Sequence, residues 1–431
     1  MRKKSVVILF VLIMLFMSTG TAVLAVPPAA SDISASSSAN APEISAPSAI
    51  LVEAESGQVL FGKDVDERLH ISAACKLMTV LIASENADFS SYVTVSSDSV
   101  EAEGSALSLD VGAKYELGDL LYGIMLTSAN DAAKAVAEYT AGDIDKFVER
   151  MNATAAKLNM TNTHFTNPTG LLDENQYTTA RDISLLIKYA LTNSNFNRAF
   201  SVKARPWYSG DGTTKILTSP NKLFWSYDGV EGGKTGYNKK ELQTIITTAY
   251  QENMRLISIV LNSPEKDLFS SAAALFDYGF LNFRKSTLVR KGEVLKTATL
   301  DGKEINLISQ NDVTYIHPIG ESYIKEFSAT ADLKPPIRKA IPAGSASYVL
   351  QDGTVISVSL YPETEIVPED NFMTKARKTL TENKDILFMI LFLAALEVIL
   401  VLFNLVKLLK KLVSHIVSGK KRQPGRNEAG S

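Results

Sequence analysis

The stretch Ile71-Ser72-Ala73-Ala74-Cys75-Lys76-Leu77-Met78-Thr79-Val80-Leu81 decides how the rest of the chain is read. From 73 to 85 the apolar residues recur at helical spacing, offering Leu77, Val80, Leu81 and Ala83 to a core, with Lys76 near the helix start. Upstream, Ile50-Leu51-Val52 and Val59-Leu60-Phe61 flank Ser56-Gly57, the pattern of a β-hairpin. Downstream, helical patterns dominate from 117 to about 191, including 117–138 and 143–158. Strand-like runs return at 243–250 and 255–262, the latter reading Leu-Ile-Ser-Ile-Val-Leu, before a helix around 270–278. Strands from both ends of a unit with helices between them imply an α/β architecture, one mixed sheet covered by helices. From 288 to about 366 the segments are short, β-rich and broken by Gly and Pro, as in a small all-β domain, and 372–384 follows as an amphipathic connection.

Both ends of the 431-residue chain read as something other than globular fold. Arg2, Lys3 and Lys4 precede an apolar run at 5–17, and Val23-Leu24-Ala25 supplies the small-residue cleavage pattern of a secretory signal. Residues 386–406 are almost uninterrupted apolar sequence followed by Lys407, Lys410 and Lys411, which predicts a membrane-spanning helix with a basic cytoplasmic tail. Glu397 lies near its middle, where a charged side chain costs at least about 2.5–3.5 kcal/mol, so it is either protonated or turned to a partner helix. The expected division is a signal peptide at 1–25, a Ser/Ala/Pro-rich linker at 26–48, an α/β domain at 49–283, a β domain at 284–368, the membrane helix at 386–406 and the tail at 407–431.

Composition excludes several function classes. A single cysteine, Cys75, forms no intramolecular bridge and no cysteine-built zinc site. Residues 26–385 retain 34 of the 44 Lys and Arg but 45 of the 47 Asp and Glu, a balance of −11 that argues against nucleic-acid binding. The sequence has no G-x-S-x-G, H-E-x-x-H or C-x-x-C, and His70, His164, His317 and His415 are scattered without metal spacing. Gly233-Lys234-Thr235 is no phosphate loop, because Asp228 stands where that motif requires glycine.

What remains is an ordered constellation: Lys76 near a helix start, Ser128-Ala129-Asn130 between helical patterns, and Lys234-Thr235-Gly236 opening the run into a strand. Each is weak alone. Their order resembles that of penicillin-recognising serine enzymes, in which S-x-x-K, S-x-N and K-T-G converge on one cleft. A hydroxyl nucleophile needs a nearby base, and a lysine one helical turn away serves if burial and neighbouring cations lower its pKa. A second hydroxyl and an amide relay protons and hold a peptide, while a lysine and threonine on an edge strand fix a terminal carboxylate.

The likeness widens across Lys76-Leu77-Met78-Thr79, Glu103-Gly104-Ser105, Ser128-Ala129-Asn130-Asp131-Ala132-Ala133, Met151-Asn152, Thr163-His164-Phe165-Thr166-Asn167-Pro168, Thr178-Thr179-Ala180-Arg181-Asp182 and Asp277-Tyr278-Gly279-Phe280. From about 49 to 366 the chain resembles the D-alanyl-D-alanine carboxypeptidases, the low-molecular-mass penicillin-binding proteins. The resemblance implies a transpeptidase-like α/β domain, a C-terminal β domain and anchoring on the outer face of the cytoplasmic membrane. It implies peptidoglycan stem peptides as substrates, β-lactams as ligands, and neither metal nor organic cofactor. It also implies roles: Lys76 as base, Ser128 and Asn130 as proton relay and substrate holder, Lys234 and Thr235 at the carboxylate, and Gly236 allowing close approach. Asp131 is expected to cap the helix that follows it, and Arg181 to pair with Asp182.

One departure weighs against turnover. The family's nucleophile lies three residues before the lysine, and that position here is Ala73, which has no hydroxyl. Beyond Gly236 the chain runs through Lys239-Lys240-Glu241-Leu242-Gln243 instead of the family's Gly-Tyr-aromatic or Gly-Tyr-Cys segment. Three readings follow. Ser72 substitutes, against a rotation of about 100° around the helix axis; Cys75 substitutes, although it is the sequence neighbour of Lys76; or acyl transfer is lost or severely reduced, the reading favoured here.

Overall fold

A computed structural model describes residues 41–70, 72–209, 212–237, 242–320, 323–351, 353–366 and 384–419. The signal peptide, most of the linker, the amphipathic connection and the end of the basic tail lie outside the described residues. The chain divides into two compact units, the first comprising residues 1–293, 309–329 and 346–358, the second 294–308, 330–345 and 359 onward.

The centre of the first unit is a five-stranded sheet. Its strands are β1 (Ser48–Glu53), β2 (Val59–Lys63), β3 (Val230–Tyr237), β4 (Leu242–Gln251) and β5 (Met254–Pro264), in the order β2-β1-β5-β4-β3. Strands from both ends of the unit do meet, with Ile50 opposite Ile259 in β1 and β5. The expected α/β layering is present, but the strand direction is not mixed: all four pairings are antiparallel. Three of these pairings, β1–β2, β3–β4 and β4–β5, join strands linked by short connections, which make antiparallel neighbours.

Both faces of the sheet are covered, so its strands read as apolar runs with no polar side. In β1, Ile50 and Val52 enter one core while Ala49 and Leu51 enter the other. The first core is built with helices α1 (Ser72–Asn86), α2 (Leu117–Thr127), α3 (Asn130–Ala141), α4 (Ile144–Lys157), α5 (Ala180–Ala190) and α6 (Ser194–Phe200). The second is closed by α7 (Glu265–Asn282), through Leu268, Ala272, Leu275 and Phe276. Gly279 explains the tight seat of α7, since a Cβ there would come within 2.4 Å of Leu256 and 2.8 Å of Leu51.

Helix α1 is the axis of the first core. Residues 73 to 84 are all buried, a helix apolar on every side as interior helices are. Each fully buried leucine, such as Leu77 or Leu81, contributes roughly 1.5–3 kcal/mol relative to exposure. A lysine in that helix is therefore costly, and Lys76 is only 5% exposed.

Every described element from 283 to 366 is a strand, in keeping with the β-rich reading. Phe283–Val289 pairs antiparallel with Val313–Pro318, and in the second unit Val294–Leu300 pairs with Lys303–Ile308. The last element is α8 (Lys384–Gly419), in which Phe388–Lys411 is long and apolar enough to cross a membrane and is exposed along its length.

Candidate active site

Three elements of the first unit carry the expected site residues. Helix α1 supplies Ala73 and Lys76, the junction of α2 and α3 supplies Ser128 and Asn130, and edge strand β3 supplies Lys234, Thr235 and Gly236. The junction exists because Ser128 turns left-handed (φ 59°, ψ 30°), ending α2 with its N–H on the Ile124 carbonyl. That backbone costs a serine roughly 1–2 kcal/mol. It aims Oγ at β3, where Lys234 Nζ donates to Ser128 Oγ at 2.5 Å and to the Thr235 carbonyl at 2.8 Å.

Gly236 marks where β3 passes the start of α1. A Cβ there would lie 3.1 Å from Ala73 Cβ and 3.1 Å from Ser72 Oγ. Ala73 therefore faces the Lys234-Thr235-Gly236 strand, as the helical register requires. The rotation that was expected to turn Ser72 elsewhere does not remove it: its hydroxyl is set against the same glycine, at the first residue of the helix. Cys75 is fully buried, and burial pushes its thiol up to about 12, which makes it a poor nucleophile.

Lys76 Nζ donates to the Thr169 carbonyl, and the neighbouring Thr79 Oγ1 donates to the Pro168 carbonyl at 2.9 Å. Burial lowers Lys76 to about 8. Burial, with the charge of Lys76 added, lowers Lys234 to about 7. The hydrogen-bond acceptors around both ammonium groups are neutral oxygens. Asn130 Nδ2 donates to the Glu103 carbonyl at 2.6 Å, which fixes the amide, while its buried Oδ1 has no partner among the described residues. An orphaned buried acceptor costs about 1–3 kcal/mol unless a donor reaches it. A carboxylate brought to the buried amines would favour their charged form, and an amide N–H would satisfy Asn130 Oδ1.

Supporting residues differ from the sequence expectation in two places. Asp131 is not a simple helix cap: Oδ1 accepts from the Leu107 and Ala132 N–H and Oδ2 from the Leu109 N–H, at 2.8–3.2 Å. It thereby ties the 105–109 loop to α3, reinforced by the Asn130 N–H on the Ser105 carbonyl. Arg181 grips Asp66 at 2.7 and 2.9 Å, whereas Asp182 accepts from the Asn162 N–H and Thr163 Oγ1, because adjacent residues in a first helical turn point apart. The likeness over Thr163–Pro168 assigns the 166–171 loop no role, yet its Asn167 Oδ1 accepts from Thr169 Oγ1 and the Gly170 N–H. The available signal was Asn167-Pro168-Thr169-Gly170, a turn sequence whose glycine adopts φ 72° against Ser72. Of the divergent segment beyond Gly236, Leu242 and Gln243 open β4, and 238–241 lie outside the described residues.

Residues 35–265 match the D-alanyl-D-alanine carboxypeptidase family. The chain belongs to that family. D-alanyl-D-alanine carboxypeptidase DacF of Bacillus subtilis is 29% identical over 348 residues, covering 78% of this chain and 89% of DacF. DacC of Escherichia coli, also named a D-alanyl-D-alanine carboxypeptidase, is 29% identical over 336 residues, covering 73% and 82%. Penicillin binding protein 5 of Haemophilus influenzae has a similar structure, with a TM-score of 0.65 at 26% identity over 76% of this chain and 98% of that one. In this member of the carboxypeptidase family, the Lys234-Thr235-Gly236 strand meets Ser128 through Lys234 and the start of α1 at Ala73 through Gly236.

Proposed function

We propose that this protein uses the cleft to hold the D-alanine-ended stem peptides of peptidoglycan, with acyl transfer lost or severely reduced. The observation that supports the reading is Ala73 against Gly236, at the position where the family resemblance calls for a serine, with Lys234 on Ser128 in the same strand-to-turn contact. Lys234 and Thr235 take the peptide's terminal carboxylate, and Asn130 Oδ1 accepts a peptide N–H. Ser128 orients Lys234, and Lys76, with no hydroxyl at position 73 to deprotonate, stays on the Thr169 carbonyl. The protein then acts as a muropeptide-binding or scaffolding member of the wall-building machinery.

The same reading makes 49–283 the carboxypeptidase-like domain and 284–368 a separate β domain. It has α8 cross the cytoplasmic membrane once, with 1–25 a signal peptide, the body outside and the basic tail inside. The exposure of Phe388–Lys411 along its whole length supports the crossing, since a core helix would be covered.

A second reading is favoured by Ser72 Oγ, which shares the face of α1 turned to Gly236 and lies four residues before Lys76. There Ser72 is the nucleophile of a slow carboxypeptidase. Intact mass of the full chain in detergent, before and after a penicillin, separates the two. The first reading expects no adduct on the unmodified protein and a stoichiometric adduct on Ala73→Ser. An adduct on the unmodified protein that Ser72→Ala abolishes establishes the second. No adduct on either protein, with no protection by a D-alanyl-D-alanine peptide in thermal unfolding, defeats both.

A further inference from the structure

Helix α8 carries a feature that the cleft does not use. Between 388 and 406 its polar side chains are Glu397 and Asn404, seven residues apart. Seven steps of 100° return to within about 20° of the starting direction, so both lie on one face, about 10 Å apart along the axis. Both are exposed. Leu393 and Leu400, 52% and 54% exposed, flank them at the four- and three-residue spacings that share this face. The face therefore reads Ile390, Leu393, Glu397, Leu400, Asn404: apolar and polar residues at one core position of a heptad and leucine at the other.

Lipid satisfies neither a carboxyl nor a carboxamide, so a face carrying both is expensive unless another helix covers it. We infer that this face binds a second copy of the same helix, forming a parallel two-stranded dimer within the bilayer. The inference rests on the reading that α8 crosses the membrane.

The identity of the partner follows from self-complementarity. Two copies inserted in the same direction lie parallel, so symmetry sets Glu397 opposite Glu397 and Asn404 opposite Asn404. A carboxamide has both donors and an acceptor, and a neutral carboxyl has one of each, so each residue satisfies its own duplicate. A foreign helix with a basic residue would match Glu397 but would need a second polar group two turns away to match Asn404. The copy supplies both by construction. Leucine at the alternate core position, with a single amide at the other, is also the pattern that selects two parallel strands.

The test uses the full chain with donor or acceptor fluorescent proteins fused at its C-terminus, in phosphatidylglycerol–phosphatidylethanolamine vesicles at low protein-to-lipid ratio. Energy transfer is expected between copies, falling when unlabelled chain is added. The Glu397→Leu, Asn404→Leu double variant should weaken association about tenfold. It adds apolar surface, so it does not compromise insertion, and Ile399→Ala on another face should leave association unchanged. Chains that survive an alkaline carbonate wash in the membrane yet show no transfer overturn the dimer alone. So does a double variant that associates as tightly as the unmodified protein, or transfer that needs a second protein species. Release by the carbonate wash overturns the membrane crossing and the dimer together.

Discussion

Lys234 Nζ and Ser128 Oγ are joined at 2.5 Å, a hydrogen bond that ties the edge strand of the sheet to the left-handed turn between α2 and α3. It holds a fully buried ammonium group on a hydroxyl instead of a carboxylate. Lys76 is similarly placed on the Thr169 carbonyl, so neither buried amine has a carboxylate among its hydrogen-bond partners here. Burial therefore favours the neutral form of both lysines.

Lys234 is held at about 7 and Lys76 at about 8, against an ordinary value of 10.5. Between those values and 10.5 the unfolded chain binds protons that the folded chain does not. Stability therefore rises as pH increases through this window and is lowest below pH 7. The rise should be of the order of a few kcal/mol. Denaturant unfolding from pH 6.5 to 9.5 checks it, and Lys234→Met should flatten the profile by removing one of the two groups.

Ligand binding should carry the opposite slope. A carboxylate needs the lysines charged, so the affinity of a D-alanyl-D-alanine peptide should fall as pH rises from 7 to 9, with protons taken up on binding near neutrality. Calorimetry in buffers of different ionisation enthalpy reads both. Affinity independent of pH across that range would mean that neither lysine meets the carboxylate.

Much of this was legible in the sequence because periodicity and order carry it. The apolar pattern around Lys76 gives α1 to within a residue at each end, whereas the single helical run read at 117–138 is interrupted at Ser128-Ala129, where the left-handed turn separates α2 from α3. What could not be read depends on backbone atoms or distant partners. Lys76 ends on a carbonyl 93 residues away, and Arg181 on a carboxylate 115 residues away. No side-chain pattern announces either contact. The setting of Ser72 also depends on a distant partner: rotation about a helix axis describes interior residues, whereas at the first residue of α1 the approach of β3 at Gly236 decides what the hydroxyl faces.

Cys75 should resist modification. It is buried in α1 with its thiol raised to about 12, so the thiolate fraction near neutral pH is negligible. A maleimide at pH 7.5 should leave the native chain unlabelled and label it once in denaturant. Rapid native labelling would show that the start of α1 opens readily.

Asp131 should matter more for stability than a helix cap would. Replacing it with alanine strands the N–H groups of Leu107 and Leu109, residues that are 1% and 6% exposed. At about 1–3 kcal/mol per stranded group, the loss should be roughly 2–6 kcal/mol. Asp131→Asn keeps one acceptor oxygen and should lose less. Thermal unfolding gives the magnitude, and faster amide exchange confined to 105–109 would identify the loop as the place where it is lost.

Gly236 should be the most sensitive position of the strand. An added Cβ meets Ala73 Cβ and Ser72 Oγ at 3.1 Å, tighter than ordinary contact, so Gly236→Ala demands a shift of a few tenths of an ångström. Gly236→Val adds two methyl groups to that gap, where overpacking costs about 1–3 kcal/mol. The extra atoms also fill the space between β3 and α1 that a peptide would enter. Alanine should therefore weaken peptide binding modestly and valine should abolish it, with melting temperature falling in the same order. Full binding retained by the valine variant would mean that ligands do not pass between Ala73 and the strand, and the cleft would have to be sought elsewhere on the sheet edge.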